Sequence, residues 1–208
     1  MSNVLLIIDV QNDFISGSLP VLDGVSVIPI INSLIVSGKY DYIVASQDWH
    51  PHNHGSFASQ YQGVAIFSTG ELGGVTQVMW PDHCVQGSWG AEFHNKLNTG
   101  KFNHIQQKGM DREIDSYSAL RDNGENSKTG LDQWMTDRNI DHIDITGIAT
   151  DYCVKFTALD AKKMLPNVDV RVVTDACRGV DPSTVNSALE EMKMLGIQMI
   201  DSAAILIQ

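Results

Sequence analysis

Residues 142–154 read HIDITGIATDYCV, a short apolar strand pattern that passes through Gly147 into the start of a helical pattern. Runs rich in Val and Ile recur along the chain and alternate with longer amphipathic stretches. We predict strands at residues 4–8, 42–45, 142–146, 168–173 and 198–200. We predict helices near residues 25–36, 131–137, 151–165 and 182–195. This alternation predicts an α/β fold with a mostly parallel sheet and helices on both faces.

The composition is that of a globular protein. The chain has 208 residues, 43% of them hydrophobic and 19% charged, so we expect one packed domain over residues 1–208. The net charge of -11 disfavours nucleic acid and anionic lipid surfaces as partners. No apolar run approaches the roughly 20 residues of a membrane-spanning helix. The run at 4–8 is too short for a signal peptide, and three widely spaced cysteines suit a reducing compartment, so we expect a cytoplasmic protein.

Two segments interrupt the alternation: residues 47–90, rich in Gly, His, Trp and Pro, and the polar stretch 121–130. A loop as long as the first is uncommon unless it carries function. Ligands of open parallel sheets bind beyond the carboxyl ends of the strands. The residues at those ends are therefore the candidates for chemistry, namely Asp9, Asp48, Lys108 and the segment 147–153.

Cys153 is the candidate nucleophile, because the pattern predicts that it lies in the first turn of a helix with Thr150 or Asp151 as N-cap. The helix dipole and free N–H groups there favour a thiolate and could bind an oxyanion. The alternative is that Cys153 is a small buried hydrophobic residue. We expect Cys84 and Cys177 to be structural, although Cys84 could also serve as a soft metal ligand.

The local sequence around Asp9 and Lys108 does not by itself indicate a catalytic role for either residue. A carboxylate directly after an apolar strand is placed to act as a base toward a nucleophile from another strand, but it could equally cap a turn. A single Lys in a loop is usually a solvated surface residue. Neither residue predicts catalysis alone.

Asp48-Trp49-His50 offers two metal ligands from one extended segment, on the same side because side chains alternate. A third ligand could come from His52, His54 or His83. Zinc, iron and manganese all accept imidazole and carboxylate ligands. The alternative is a His-rich surface loop.

Taken together, five motifs resemble the nicotinamidases, a branch of the isochorismatase-like cysteine hydrolase superfamily, over the whole length of the chain. They are IDVQNDF at 8–14, QDWHP at 47–51, WPDHCVQG at 80–87, KG at 108–109 with DSYS at 115–118, and GIATDYCV at 147–154. The resemblance implies a parallel sheet of about six strands. It also implies the hydrolysis of nicotinamide to nicotinate and ammonia through a cysteine thioester, in NAD salvage.

The resemblance assigns the site residues as well. It implies a catalytic triad of Asp9, Lys108 and Cys153, and a divalent metal, zinc first among the candidates, held by Asp48, His50 and His83. Backbone N–H groups of Ala149 and Cys153 would bind the carbonyl oxygen, and a cis peptide bond would join Ile148 to Ala149. By the same resemblance, a flat aromatic substrate would lie between the side chains of Phe14, Trp80 and Tyr117.

Other functions remain open on the sequence. A relative that acts on a carbamoyl or ureido substrate would share the triad but typically lacks the metal residues. An iron oxygenase with two His and one carboxylate ligand would leave Asp9 and Lys108 without a role. A binding module on the same fold would leave the triad unexplained. The expected partner is a small amide, nicotinamide or an analogue such as pyrazinamide, and a homo-oligomer is compatible with this reading.

Overall fold

A twisted, wholly parallel six-stranded sheet forms the centre of the computed structural model, which describes residues 2–207. In chain order the strands within residues 2–207 are β1 (Ser2–Ile8), β2 (Tyr42–Asp48), β3 (Thr69–Leu72), β4 (Val75–Val78), β5 (His104–Lys108), β6 (Ile140–Ile148), β7 (Asp169–Arg178) and β8 (Gln198–Ile200). The order in the large sheet is β5-β2-β1-β6-β7-β8, and β3 pairs with β4 as a separate antiparallel hairpin. The fold class predicted from the sequence is confirmed.

Helices cover both faces of the sheet. They are α1 (Asn12–Ile15), α2 (Val27–Ile35), α3 (Leu131–Asp137), α4 (Lys155–Met164), α5 (Pro182–Met194) and α6 (Ser202–Leu206). Alternate residues of β1 enter two different cores: Leu6 packs with α3, α4 and α5, whereas Leu5 packs with α2 and α6. Because every β1 residue from Val4 onward is buried, both faces of this strand are apolar, as expected for a central parallel strand.

The apolar runs locate the strands, but the strands extend beyond them. The apolar run of β7 ends at residue 173, but the strand continues to Arg178. Its pairing with β6 is irregular at this point, and the polar residues Thr174 and Asp175 lie in the irregular part. β5, with the sequence HIQQK, lacks the apolar pattern because it is an edge strand whose side chains, apart from Lys108, are exposed or only partly buried. Residues 47–90, predicted as a loop, contain the β3–β4 hairpin, which turns at Gly73 and Gly74 with positive φ.

Two predicted helix starts differ from the structure. The helix predicted from residue 25 begins with a 3₁₀ turn at Gly24–Ser26, and the one predicted from residue 151 begins with a turn of π-helix at Thr150–Val154. Thr150 and Asp151 are not N-caps: Ala149 holds that position in an extended conformation without a side-chain cap. The Asp151 carboxylate instead accepts hydrogen bonds from the Val180 and Asp181 backbone N–H groups, so it ties the turn to the start of α5.

The strand order reverses direction between β1 and β6, which is where doubly wound sheets open a crevice for ligands. From β1 the chain builds outward to β2 and β5, and it then returns to β6 and builds in the other direction. Asp9 and the turn that contains Cys153 follow these two strands. No helix in residues 2–207 has the length and apolar character needed to cross a membrane.

Gly147 permits the close approach of β6 to β1 at this crevice. Its φ is +114°, and a Cβ built on it would lie 2.1 Å from the Ile8 carbonyl oxygen. We predict that Gly147→Ala lowers the free energy of unfolding by about 3 kcal/mol or more, because both the backbone conformation and the neighbouring strand oppose a side chain. Chemical denaturation measures this change. Gly100→Ala is the matched control, since its nearest neighbour is 3.9 Å away, and an equal loss in both variants would contradict the prediction.

Candidate active site

The carboxyl ends of three strands bring Asp9, Lys108 and Cys153 together. The Lys108 ammonium lies 2.9 Å from Asp9 Oδ2 and 3.5 Å from Cys153 Sγ, and it donates a hydrogen bond to the Ser116 carbonyl oxygen at 3.0 Å. The side chains of Asp9 and Lys108 are fully buried, and Cys153 is 6% exposed. These three residues, which are far apart in the sequence, thus form one buried cluster.

Burial and neighbouring charges set the protonation of this cluster. Burial raises the pKa of the Cys153 thiol well above its ordinary value, and the attraction of Lys108 does not offset it. Burial also raises the pKa of Asp9, to about 6, although Lys108 opposes the shift. Near neutral pH the site therefore pairs a protonated thiol with an ionised carboxylate, which is the arrangement a nucleophile and its base require.

The Lys108 ammonium stays charged in spite of its burial. Burial alone would lower its pKa, but the carboxylates of Asp48 and Asp9 raise the pKa well above its ordinary value. For Asp48 the relation is reversed: burial would raise the pKa, and the charges of Lys108 and His50 hold it well below its usual range. Each of these charges tolerates burial because the opposite charges beside it compensate for the lost contact with water.

The turn that carries Cys153 starts at Ala149, and the Ile148–Ala149 peptide bond is cis, as the resemblance implied. The Val154 N–H donates to the Ala149 carbonyl oxygen across five residues, at 3.0 Å, which widens the turn. Asp151, two residues before Cys153, anchors this turn through its bonds to the Val180 loop.

A group of residues able to hold a metal lies beside the thiol: Asp48, His50 and His83 offer ligand atoms within 4.8 Å of one another. Asp48 Oδ2 is 3.7 Å from His50 Nε2 and 4.0 Å from His83 Nε2. His50 Nδ1 pairs with the Gly109 carbonyl oxygen and His83 Nδ1 with that of Pro81, each at 2.8 Å. These carbonyls fix the tautomers so that both Nε2 atoms are left as ligands.

The other two candidate histidines have different surroundings. His52 is exposed, so it does not contribute to this group. His54 is fully buried with its ring centroid 4.3 Å from that of His50, and its Nε2 has no hydrogen-bond partner within residues 2–207. Together with His50 and Asp115 it forms a second group of potential ligand atoms. The sequence offered His54 only as one possible third ligand beside Asp48 and His50, and it assigned no role to Asp115.

An apolar pocket opens onto both the thiol and the metal-ligand group. Phe14 and Trp80 flank His83, with ring centroids 5.5 Å and 6.4 Å from its imidazole. The pocket is completed by residues from several elements: Leu19, Val21, Asp48, Asp115, Tyr117, Ala149, Tyr152, Cys153 and Val180. All the predicted wall residues lie there. Tyr152 was missed although it adjoins Cys153 in the motif, and Leu19, Val21 and Val180 carry no local signal.

Comparison with known proteins places this geometry in a family. A model described as the isochorismatase domain matches residues 3–204. The nicotinamidase of Escherichia coli strain K12 is 47% identical over 193 residues, which are 91% of this chain and 89% of that protein.

Two solved structures are also similar. The nicotinamidase/pyrazinamidase of Acinetobacter baumanii is 42% identical with a TM-score of 0.94, and the match covers 99% of this chain and 98% of that one. The pyrazinamidase of Pyrococcus horikoshii in complex with zinc is 34% identical with a TM-score of 0.78, over 97% and 99% of the two chains. Since the domain model spans nearly the whole chain and these relatives share its sheet, the protein belongs to the isochorismatase family.

Proposed function

We propose that this protein hydrolyses nicotinamide to nicotinate and ammonia, as a step of NAD salvage in the cytoplasm. One observation carries the proposal: a buried thiol and a potential metal site share a single aromatic pocket and are joined by Asp48. A pyridine carboxamide has the matching parts, which are a carbonyl carbon for the thiol, a ring nitrogen for a metal and a flat ring for the walls. The names of the related proteins support this substrate class.

The chemistry begins with proton transfer from Cys153 Sγ to the Asp9 carboxylate, while the Lys108 ammonium stabilises the thiolate that forms. The sulfur attacks the carboxamide carbon, and backbone N–H groups of Ala149 and Cys153 receive the developing oxyanion. Asp9 then returns the proton to the leaving nitrogen, so ammonia departs and a thioester remains. Water, deprotonated by Asp9, attacks the thioester, and nicotinate is released as the thiol regains its proton.

The donor set suits a divalent metal, because two imidazole nitrogens with fixed tautomers face one carboxylate oxygen. His50 Nε2, buried and without a hydrogen-bond partner within residues 2–207, supports this reading. Asp48, His50 and His83 would hold the ion, for which we propose zinc, while iron and manganese accept the same ligands. Such an ion would supply a Lewis acid that orients the pyridine ring.

We predict that the protein releases ammonia from nicotinamide and pyrazinamide, and that Cys153→Ala reduces turnover by about a thousandfold or more because the nucleophile is lost. Cys177→Ala is the matched control, since that cysteine is buried in the sheet away from the pocket. Ammonia release and metal content are measured for each variant. Near-normal turnover by Cys153→Ala would overturn the assignment, and preference for a carbamoyl or ureido substrate would favour the other amidase branch.

The raised pKa of Asp9 predicts an acid limb in the pH profile. Asp9 accepts a proton only when ionised, so kcat/KM should fall about tenfold per pH unit below a midpoint near 6 and level off above it. Metal content measured at each pH separates this limb from loss of the ion. A midpoint near 4, the value of an unperturbed Asp at about 3.9, would contradict the buried, raised carboxyl.

Metal content provides an independent test of the ligand set. His83→Ala should lose most of the bound metal, because one of three ligands is removed, whereas His52→Ala should retain it since that side chain is exposed. Elemental analysis of the purified variants gives the stoichiometry. Retained metal in His83→Ala, or equal loss in both variants, would count against the proposed site.

A further inference from the structure

Trp80 is a buried wall of the pocket whose indole N–H makes one directional contact. Four rings surround it, those of Phe67, His83, Tyr117 and Tyr152, at interplanar angles between 70° and 87°. These four contacts favour an edge-to-face arrangement of the indole ring. A hydrogen bond adds a sharper directional constraint, because its strength falls steeply with angle. The Trp80 Nε1–H donates to the Tyr117 hydroxyl at 3.1 Å, and this bond therefore helps to hold the plane of the wall.

The Tyr117 hydroxyl is itself held from behind by Gln77. Gln77 lies on β4, is 1% exposed, and its Nε2 donates to the Tyr117 hydroxyl at 2.9 Å and to Asp115 Oδ2 at 3.0 Å. Asn123 closes the arrangement, because its side chain accepts from the Tyr117 backbone N–H and donates to Gln77 Oε1. A buried amide thus fixes where the hydroxyl sits.

We infer that Tyr117 and Gln77 are positioning residues for substrate binding, acting through Trp80. This inference rests on the proposed function, because the ligand that Trp80 faces is taken to be a pyridine carboxamide. Tyr117 was expected only as a third apolar wall. The hydrogen bonds add a second role, in which the hydroxyl receives two N–H donors and locks the indole plane before substrate arrives. A preorganised wall lowers the cost of ordering the site on binding.

The same amide reaches toward the metal-ligand group. Gln77 donates a hydrogen bond to the Asp115 carboxylate. That carboxylate belongs, with His50 and His54, to the second group of potential metal ligands. The β3–β4 hairpin, inserted in the segment that sequence patterns assigned to a loop, therefore supports the substrate wall and the region beside His50 through one side chain.

The test compares Tyr117→Phe, which removes only the hydroxyl, with the wild-type protein. Leaving the buried indole N–H without an acceptor should raise KM for nicotinamide about tenfold, with kcat within about twofold and metal content unchanged. Titration calorimetry with nicotinate should show a parallel loss of affinity. Gln77→Met should shift KM in the same direction by a smaller factor. Tyr61→Phe is the matched control, since that hydroxyl donates to the Gly55 carbonyl oxygen away from the pocket.

A double-mutant cycle with Trp80→Phe identifies the route of the effect. If Tyr117 acts through the indole, Tyr117→Phe should change KM less than about twofold in the Trp80→Phe background, because the shared interaction is already absent. A full additional increase there would overturn the inference, as would an unchanged KM in the single variant or a loss confined to kcat. If the wild-type protein neither hydrolyses nicotinamide nor binds nicotinate, the proposed function fails and the inference fails with it. An active wild type with an unaffected Tyr117→Phe rejects the inference alone.

Discussion

The buried ammonium of Lys108 between two carboxylates is the interaction on which the site depends. Lys108 comes from the edge strand β5, pairs in register with Asp48 on β2, and reaches past β2 to Asp9 at the end of β1. Neighbouring strands lie about 4.8 Å apart, so only a long side chain spans this distance. Removing one partner from a buried ion cluster costs about 3–5 kcal/mol, because the remaining charge is left without compensation. The three strand ends are therefore held together by the charges to which the proposed chemistry assigns a role.

Asp48 connects the two halves of the active site. One carboxylate oxygen faces the Lys108 ammonium, and the other faces the imidazoles of His50 and His83. The thiol side and the metal side consequently share one negative charge, and neither can be altered without changing the electrostatics of the other. Asp48 stays ionised in spite of its burial because Lys108 and His50 both lower its pKa. Asp9 has Lys108 but no imidazole among the groups that shift its pKa, and there burial prevails and raises the pKa.

The pocket is built mostly from segments that lie outside the sheet. The sheet provides the reacting groups at its crevice, whereas the long segment between β2 and β5 provides Trp80, His83 and, through the β3–β4 hairpin, Gln77. A backbone hydrogen bond from His50 to Cys84, at 3.0 Å, returns this segment to the end of β2. The strand ends thus carry the proposed reacting groups, and the anchored loop contributes part of the pocket wall.

The sequence alone determined the alternation of strands and helices, and the residues at strand ends that belong near the crevice, because hydrophobic period and strand polarity are local properties. The local pattern could not choose between His52, His54 and His83, because burial and the return of a distant loop are tertiary facts; only the family resemblance pointed to His83. The edge strand β5 and the π-helical turn at Cys153 also escaped the pattern, the first because it buries little apolar surface and the second because its wide turn depends on backbone hydrogen bonding. The local pattern at Cys153 was compatible with a nucleophile or a core residue, and only the tertiary structure places Asp9 and Lys108 beside it, because the three residues follow or end different strands.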